Sequence, residues 1–155
     1  MVKIMFVCLG NICRSPMAEC VMSKMIKDNN LQDCVSVASS ATSFEEVGNP
    51  IYPPAQRKLR EKGVEVLAHR AVRITPKDAK EYDYIVGMEE RNVRAINQIV
   101  GDTGNVYRLL DFSSNPRDIA DPWWTGNFDL TYDDIVEGSE CLLKYIEKND
   151  LHLAK

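Results

Sequence analysis

A cysteine and an arginine separated by five residues, Cys8-Leu9-Gly10-Asn11-Ile12-Cys13-Arg14, followed by Ser15 and Pro16, carry the strongest chemical signal in the chain. A loop of this length that enters a helix can aim successive backbone N–H groups at one point, where the helix N-terminus adds positive partial charge. Such a cradle suits a phosphate-like oxyanion. The same field favours the thiolate of Cys8, the nucleophilic form of a cysteine, and Arg14 offers a planar fork for two anionic oxygens. Gly10 and Asn11 are residue types that tolerate φ > 0, which a tight cradle is expected to require. Ser15 is placed to donate to the thiolate, and Pro16 fits the first turn of a helix. A bare Cys-x5-Arg also arises by chance, and a lone cysteine often serves as a small buried hydrophobe. Its flanking elements therefore decide what the string means.

Those elements are a strand before and a helix after. Residues 2 to 8 (VKIMFVC) form a short apolar, β-branched and aromatic run, and residues 14 to 29 read as a helix. A second strand is expected over 35–40 and a helix over 55–62, with Gly63 at its C′ position. A third strand is expected over 82–88, a helix over 89–100 with Val93, Ile96 and Val100 at helical spacing, and a fourth strand over 105–109. A polar, proline-punctuated loop, 111–128, leads to a last helix over 132–148. Alternating strands and helices predict an α/β domain: a four-stranded parallel sheet with helices on both faces, three layers in all. Ligands of such sheets bind beyond the carboxyl ends of the strands, so the loops after the first and fourth strands are the places for chemistry.

The whole chain bounds this reading. Its 155 residues, 45% hydrophobic, suit one domain with an ordinary core. A net charge of -4 and a pI of about 5.2 argue against a general grip on nucleic-acid backbone or anionic lipid. The cysteines are Cys8, Cys13, Cys20, Cys34 and Cys141, an odd number in a chain without a recognisable leader, which predicts a reducing, cytoplasmic setting. No apolar run approaches the roughly 18 residues that span a bilayer. The histidines are His69 and His152, and without a Cys-x2-Cys pair no zinc site is expected.

The sequence resembles the low-molecular-weight protein tyrosine phosphatases through VCLGNICRSPMAE at 7–19, SSATS at 39–43, His69, and DPWWTG at 121–126. The resemblance spans essentially the whole chain and implies a flavodoxin- or Rossmann-like fold with no cofactor. It implies that Cys8 attacks phosphorus while Asp121 protonates the leaving phenolate, and that Asp121 then serves as base for hydrolysis of the phospho-cysteine. Arg14 and the N–H groups of residues 9–13 would hold the phosphoryl oxygens, with free phosphate and other oxyanions as inhibitors. It further implies that Asn11 keeps the cradle's shape with support from Ser39 and His69, and Glu89 is a candidate partner of His69. Residue types alone leave these open, because Asp-Pro also makes turns and caps, and a lone histidine is often structural.

Substrate choice rests on the pocket walls. Related arginine phosphatases usually carry threonines where this chain has Leu9 and Ile12, and apolar residues there favour a phenyl ester over a phosphoramidate. Related arsenate reductases relay a disulfide through further cysteines, whereas none lies between Cys34 and Cys141 here. Trp123 and Trp124 are candidates for one wall of an aromatic slot, or for packing their loop onto the domain. Where many relatives place a tryptophan this chain reads Ser43-Phe44-Glu45-Glu46, so Phe44 is expected to stand in and Glu45 and Glu46 to make the rim acidic, unless both point to solvent. Cys13, in the same loop as Cys8, is a candidate disulfide partner under oxidation. The expected substrates are phosphotyrosine proteins or peptides, handled by a monomer. The rivals are a phosphotyrosine-binding module without turnover and an inactivated scaffold using its exposed aromatics as a docking patch. Cys8, Arg14 and Asp121 together argue against both.

Overall fold

The computed structural model describes residues 1–151, so His152 lies outside the described residues. The strands are β1 (Val2–Cys8), β2 (Val35–Ala41), β3 (Tyr84–Gly87) and β4 (Val106–Arg108), all parallel in the order β2-β1-β3-β4. The helices are α1 (Arg14–Asp28), α2 (Pro53–Glu61), α3 (Pro76–Glu81), α4 (Glu90–Val100), α5 (Pro122–Thr125) and α6 (Phe128–Asn149). A 3-10 turn, Leu109–Phe112, follows β4.

Alternation along β1 separates the two layers of core. Ile4, Phe6 and Cys8 face one side, where Met17 and Met22 of α1 and Leu142 and Ile146 of α6 cover them. Met5 and Val7 face the other, against Ile85, Ile96 of α4, Ala79 of α3 and Ile74. Successive side chains of a strand point to opposite faces, so a doubly covered strand reads as one unbroken apolar run. β1 pairs with β2 from Val2↔Val35 to Cys8↔Ala41 and with β3 from Ile4↔Tyr84 to Val7↔Gly87. Cys8 therefore ends the central strand, with the chain leaving β1 and β3 in a crevice at their carboxyl ends.

The expected parallel three-layer fold is the observed one, with shifts at element ends. α2 starts at Pro53, two residues before the expected Ala55, because prolines fit the first helical turn. α3 occupies a stretch in which no element was expected. It starts with a reciprocal capping box, in which Thr75 N donates to Asp78 Oδ2 at 2.8 Å. α6 starts at Phe128 rather than 132, where Asn127 caps it by accepting from Leu130 N at 3.0 Å. The 111–128 loop also contains α5, so it is less irregular than its composition suggests.

Candidate active site

The cradle is the turn from Cys8 to Arg14, and Asn11 organises it. Asn11 is fully buried with φ of 60°, a left-handed conformation that asparagine tolerates better than most residues. Its Oδ1 accepts from Val72 N at 3.1 Å, which fixes the amide's orientation, and its Nδ2 donates to Ser15 Oγ at 2.8 Å and Ser39 Oγ at 2.9 Å. Because Ser15 Oγ accepts from Asn11, its one hydrogen is shared between Cys8 Sγ, 3.0 Å away, and the Ser40 carbonyl at 3.4 Å. Asn11 N also donates to Cys8 Sγ, at 3.3 Å. Both contacts suit a negatively charged sulfur. Ser39 Oγ in turn donates to Glu19 Oε1 at 2.6 Å, and His69 Nε2 donates to the Asn11 carbonyl at 2.7 Å.

Gly10 departs from its expected role. It is absent from the positive-φ positions, and a Cβ there would lie 3.3 Å from Glu46 Cγ.

Arg14 opens α1 and is almost wholly buried. Its Nη1 donates to Glu89 Oε2 at 2.7 Å and to the Ile119 carbonyl at 2.8 Å, while Nη2 lies 3.5 Å from Asp121 Oδ2. Glu89 thus bonds Arg14, not His69. It follows β3, the neighbour of β1, so it faces the crevice across which Arg14 reaches, whereas His69 contacts the opposite side of the cradle through Asn11. Glu89, Ile119 and Val72 are contributors that residue types could not reveal. Only the strand order, with β3 beside β1, would have pointed to Glu89.

Asp121 takes the capping alternative with one of its oxygens. Oδ1 caps α5 by accepting from Trp123 N at 3.0 Å, leaving Oδ2 beside Arg14. A cavity of about 310 Å³ brings Cys8, Cys13, Arg14 and Asp121 together with Leu9, Ile12, Glu45, Glu46, Trp123 and Trp124. Phe44 is not among its lining residues. Phe44 is 70% exposed, with the Arg73 guanidinium 4.2 Å from its ring centroid, so the residue on the rim at that point is Glu46 beside Glu45. Trp123 rests on Tyr52 with ring centroids 4.8 Å apart, and Tyr52 N donates to the Ile12 carbonyl at 2.8 Å, tying wall to cradle. Trp124 stands out at 80% exposure.

Burial, then the charge of neighbouring Cys8 and Asp121, pushes the Cys13 thiol up to about 12, which keeps it protonated near neutrality. Among the described residues no group of His, Cys, Asp and Glu is arranged to hold a metal ion, and no helix is long and apolar enough to cross a membrane.

Comparison with known proteins agrees with this geometry. The family described as low molecular weight phosphotyrosine protein phosphatase matches residues 3–152. The low molecular weight protein-tyrosine-phosphatase YfkJ of Bacillus subtilis is 34% identical over 152 residues, 96% of this chain and 97% of that protein. Its crystal structure superposes with a TM-score of 0.93, covering 97% of each chain. The phosphatase PtpA of Staphylococcus aureus is 37% identical over 96% of each chain. A Drosophila arginine phosphatase is also similar, with a TM-score of 0.87 and 27% identity over 96% of this chain and 100% of that one.

Proposed function

The chain belongs to the low molecular weight phosphotyrosine protein phosphatase family and is a protein tyrosine phosphatase, and from that premise we propose which residues carry the reaction and on what substrates. Cys8 Sγ attacks the phosphorus of a phosphotyrosine in line, and the bond to the tyrosyl oxygen breaks as Asp121 delivers a proton to it. In the second step Asp121, now a carboxylate, takes a proton from the water that attacks phosphorus, releasing phosphate and the Cys8 thiolate. Arg14 Nη1 is occupied by Glu89 and Ile119, so the Nε–Nη2 edge takes two phosphoryl oxygens, and the N–H groups of residues 9–13 take the others. The carrying observation is that Cys8, Arg14 and Asp121 face one cavity, with Arg14 Nη2 and Asp121 Oδ2 3.5 Å apart.

Ser15 supports the sulfur, while Asn11, Ser39 and His69 hold the loop's shape. Leu9, Ile12, Trp123 and Trp124 form apolar walls for a phenyl ring, which favours phosphotyrosine over phosphoarginine, and Glu45 and Glu46 make the rim acidic. The domain, residues 1–155, works as a cytoplasmic monomer without metal, inhibited by phosphate and similar oxyanions. Cys13 guards Cys8 by forming a reversible disulfide under peroxide. The reading is tested by turnover of phosphotyrosine against phosphoarginine in EDTA. The expected result is a strong phosphotyrosine preference that Cys8→Ser abolishes. Phosphoarginine preference overturns the substrate, loss of activity in EDTA overturns the metal-free mechanism, and an active Cys8→Ser overturns the nucleophile.

A further inference from the structure

The segment between the 3-10 turn and α5 delivers Asp121 to the cavity without being helix or strand itself, yet it is tied down from several sides. Ile119 N donates to the Met88 carbonyl at 3.0 Å, and Thr131 Oγ1 of α6 donates to the Ala120 carbonyl at 3.0 Å. Asp118 Oδ1 accepts from Glu90 N at 2.9 Å and Arg108 Nη1 at 3.0 Å, an exposed contact. Arg117 makes the densest tie. Its Nη2 donates to Asp134 Oδ1 at 2.7 Å and Glu137 Oε1 at 2.9 Å, and its Nη1 donates to Glu137 Oε2 at 3.1 Å. Nη1 also bonds the Asn115 carbonyl at 2.7 Å, so the guanidinium braces its own loop while gripping α6. Ser113 Oγ joins the cluster by donating to Glu137 Oε2.

A rigid planar fork spanning two carboxylates on successive helical turns fixes position better than a point charge does. The side chain of Asp134 is only 9% exposed, so removing Arg117 would leave an almost buried carboxylate without its cation. Two residues along, the Ile119 carbonyl takes Arg14 Nη1; two further along, Asp121 Oδ2 stands 3.5 Å from Arg14 Nη2. Movement at Arg117 therefore reaches the proton donor and the phosphate-gripping guanidinium together. The site's own ligands do not include Arg117, which does not line the cavity.

We propose that Arg117, forked onto Asp134 and Glu137 of α6, is a positioning residue that sets Asp121 against the leaving oxygen of the substrate. This rests on Asp121 being the proton donor. A positioning role has a signature that general loosening of the fold lacks. Protonation matters most when the leaving group is a poor one, so misplacing the acid penalises phenyl phosphate far more than 4-nitrophenyl phosphate.

The experiment measures kcat/KM on both esters for the wild type, Arg117→Gln, Arg117→Lys and Asp121→Asn, with thermal unfolding as the check on folding. For Arg117→Gln the expected loss is about tenfold or more on phenyl phosphate and under about twofold on 4-nitrophenyl phosphate. Arg117→Lys falls between that variant and the wild type. An equal loss on both esters, or no loss, in folded Arg117→Gln overturns the proposal. Asp121→Asn must show the same graded loss; if it does not, the assignment of Asp121 has failed rather than that of Arg117. If Arg117→Gln does not fold, Glu137→Gln decides by the same criterion, with a graded loss of about twofold expected and a flat response overturning the proposal.

Discussion

The floor and the rim of the cavity are built on opposite principles. On the floor, Cys8, Asn11, Arg14 and Ser15 are buried, and every polar side chain among them is committed to named partners. On the rim, Leu9 and Trp123 are about half exposed, Trp124 is more so, and Glu45 is exposed. Transition-state stabilisation by fixed donors depends on their being held before the substrate arrives, so the floor is over-determined. On the proposed reading, substrate selection needs only apolar area and a sign of charge near the mouth, which exposed side chains can supply without a supporting network.

Removing the amide that joins the floor's parts strains this contrast most. Asn11→Ala leaves Val72 N without its acceptor, Ser15 and Ser39 without their donor, and an alanine at φ of 60°. Stability is expected to fall by about 2–4 kcal/mol in urea unfolding. In the variant that remains folded, kcat/KM is expected to drop roughly 100-fold, as a misplaced cradle implies. An Asn11→Ala enzyme with near-normal kcat/KM would mean that the loop holds its shape without the network.

The rim should answer by small, salt-sensitive steps. Glu45→Lys with Glu46→Lys reverses the charge at the mouth while leaving the floor's hydrogen bonds intact. Matched basic and acidic phosphotyrosine peptides are expected to change their kcat/KM ratio by about three- to tenfold at low salt, in favour of the acidic peptide. The effect should fade at about 0.5 M salt, where the screening length is only a few Å. A wild-type enzyme that turns over both peptides equally at low salt would show that these carboxylates do not act on the substrate.

How legible each region was follows from the same contrast. The apolar run of residues 2–8, doubly covered, and the loop that follows it are local patterns, so β1 and the Cys8-to-Arg14 turn stand where spacing put them. The place of Glu89 in the sequence does not identify Arg14 as its partner, because the contact depends on β3 lying beside β1, a pairing of distant segments. The place of Phe44 in the sequence puts it at the rim, but its ring lies against the guanidinium of Arg73, in a separate strand-like segment, and does not line the cavity. α3 is not legible in the sequence, because six residues are too few for helical periodicity to show, although Thr75-Pro76-Lys77-Asp78 carries the capping signal. Nothing in the sequence marks Arg117, whose value lies in two carboxylates of α6 that only folding brings to it.

The Asp121 loop lies between floor and rim, joined to Arg14 inside and braced by a partly exposed ion pair outside, so acid should loosen it before it loosens the floor. Arg117, aided by the Ser113 hydroxyl, holds the Glu137 carboxyl down at about 2, against an ordinary value of 4.5. Between those values the unfolded chain binds a proton that the folded chain does not. This share of stability is therefore complete above about pH 4.5 and is lost as the pH falls toward 2. Because Glu137 is more than a third exposed, solvent screening limits the contribution to about 1 kcal/mol or less. Urea unfolding of the wild type and Glu137→Gln is expected to show the variant less stable at pH 6, with the two curves converging as the pH falls toward 2. An equal difference at pH 6 and pH 2.5 would assign the effect to packing of the side chain, and the bracing of the loop would then be independent of Glu137's charge.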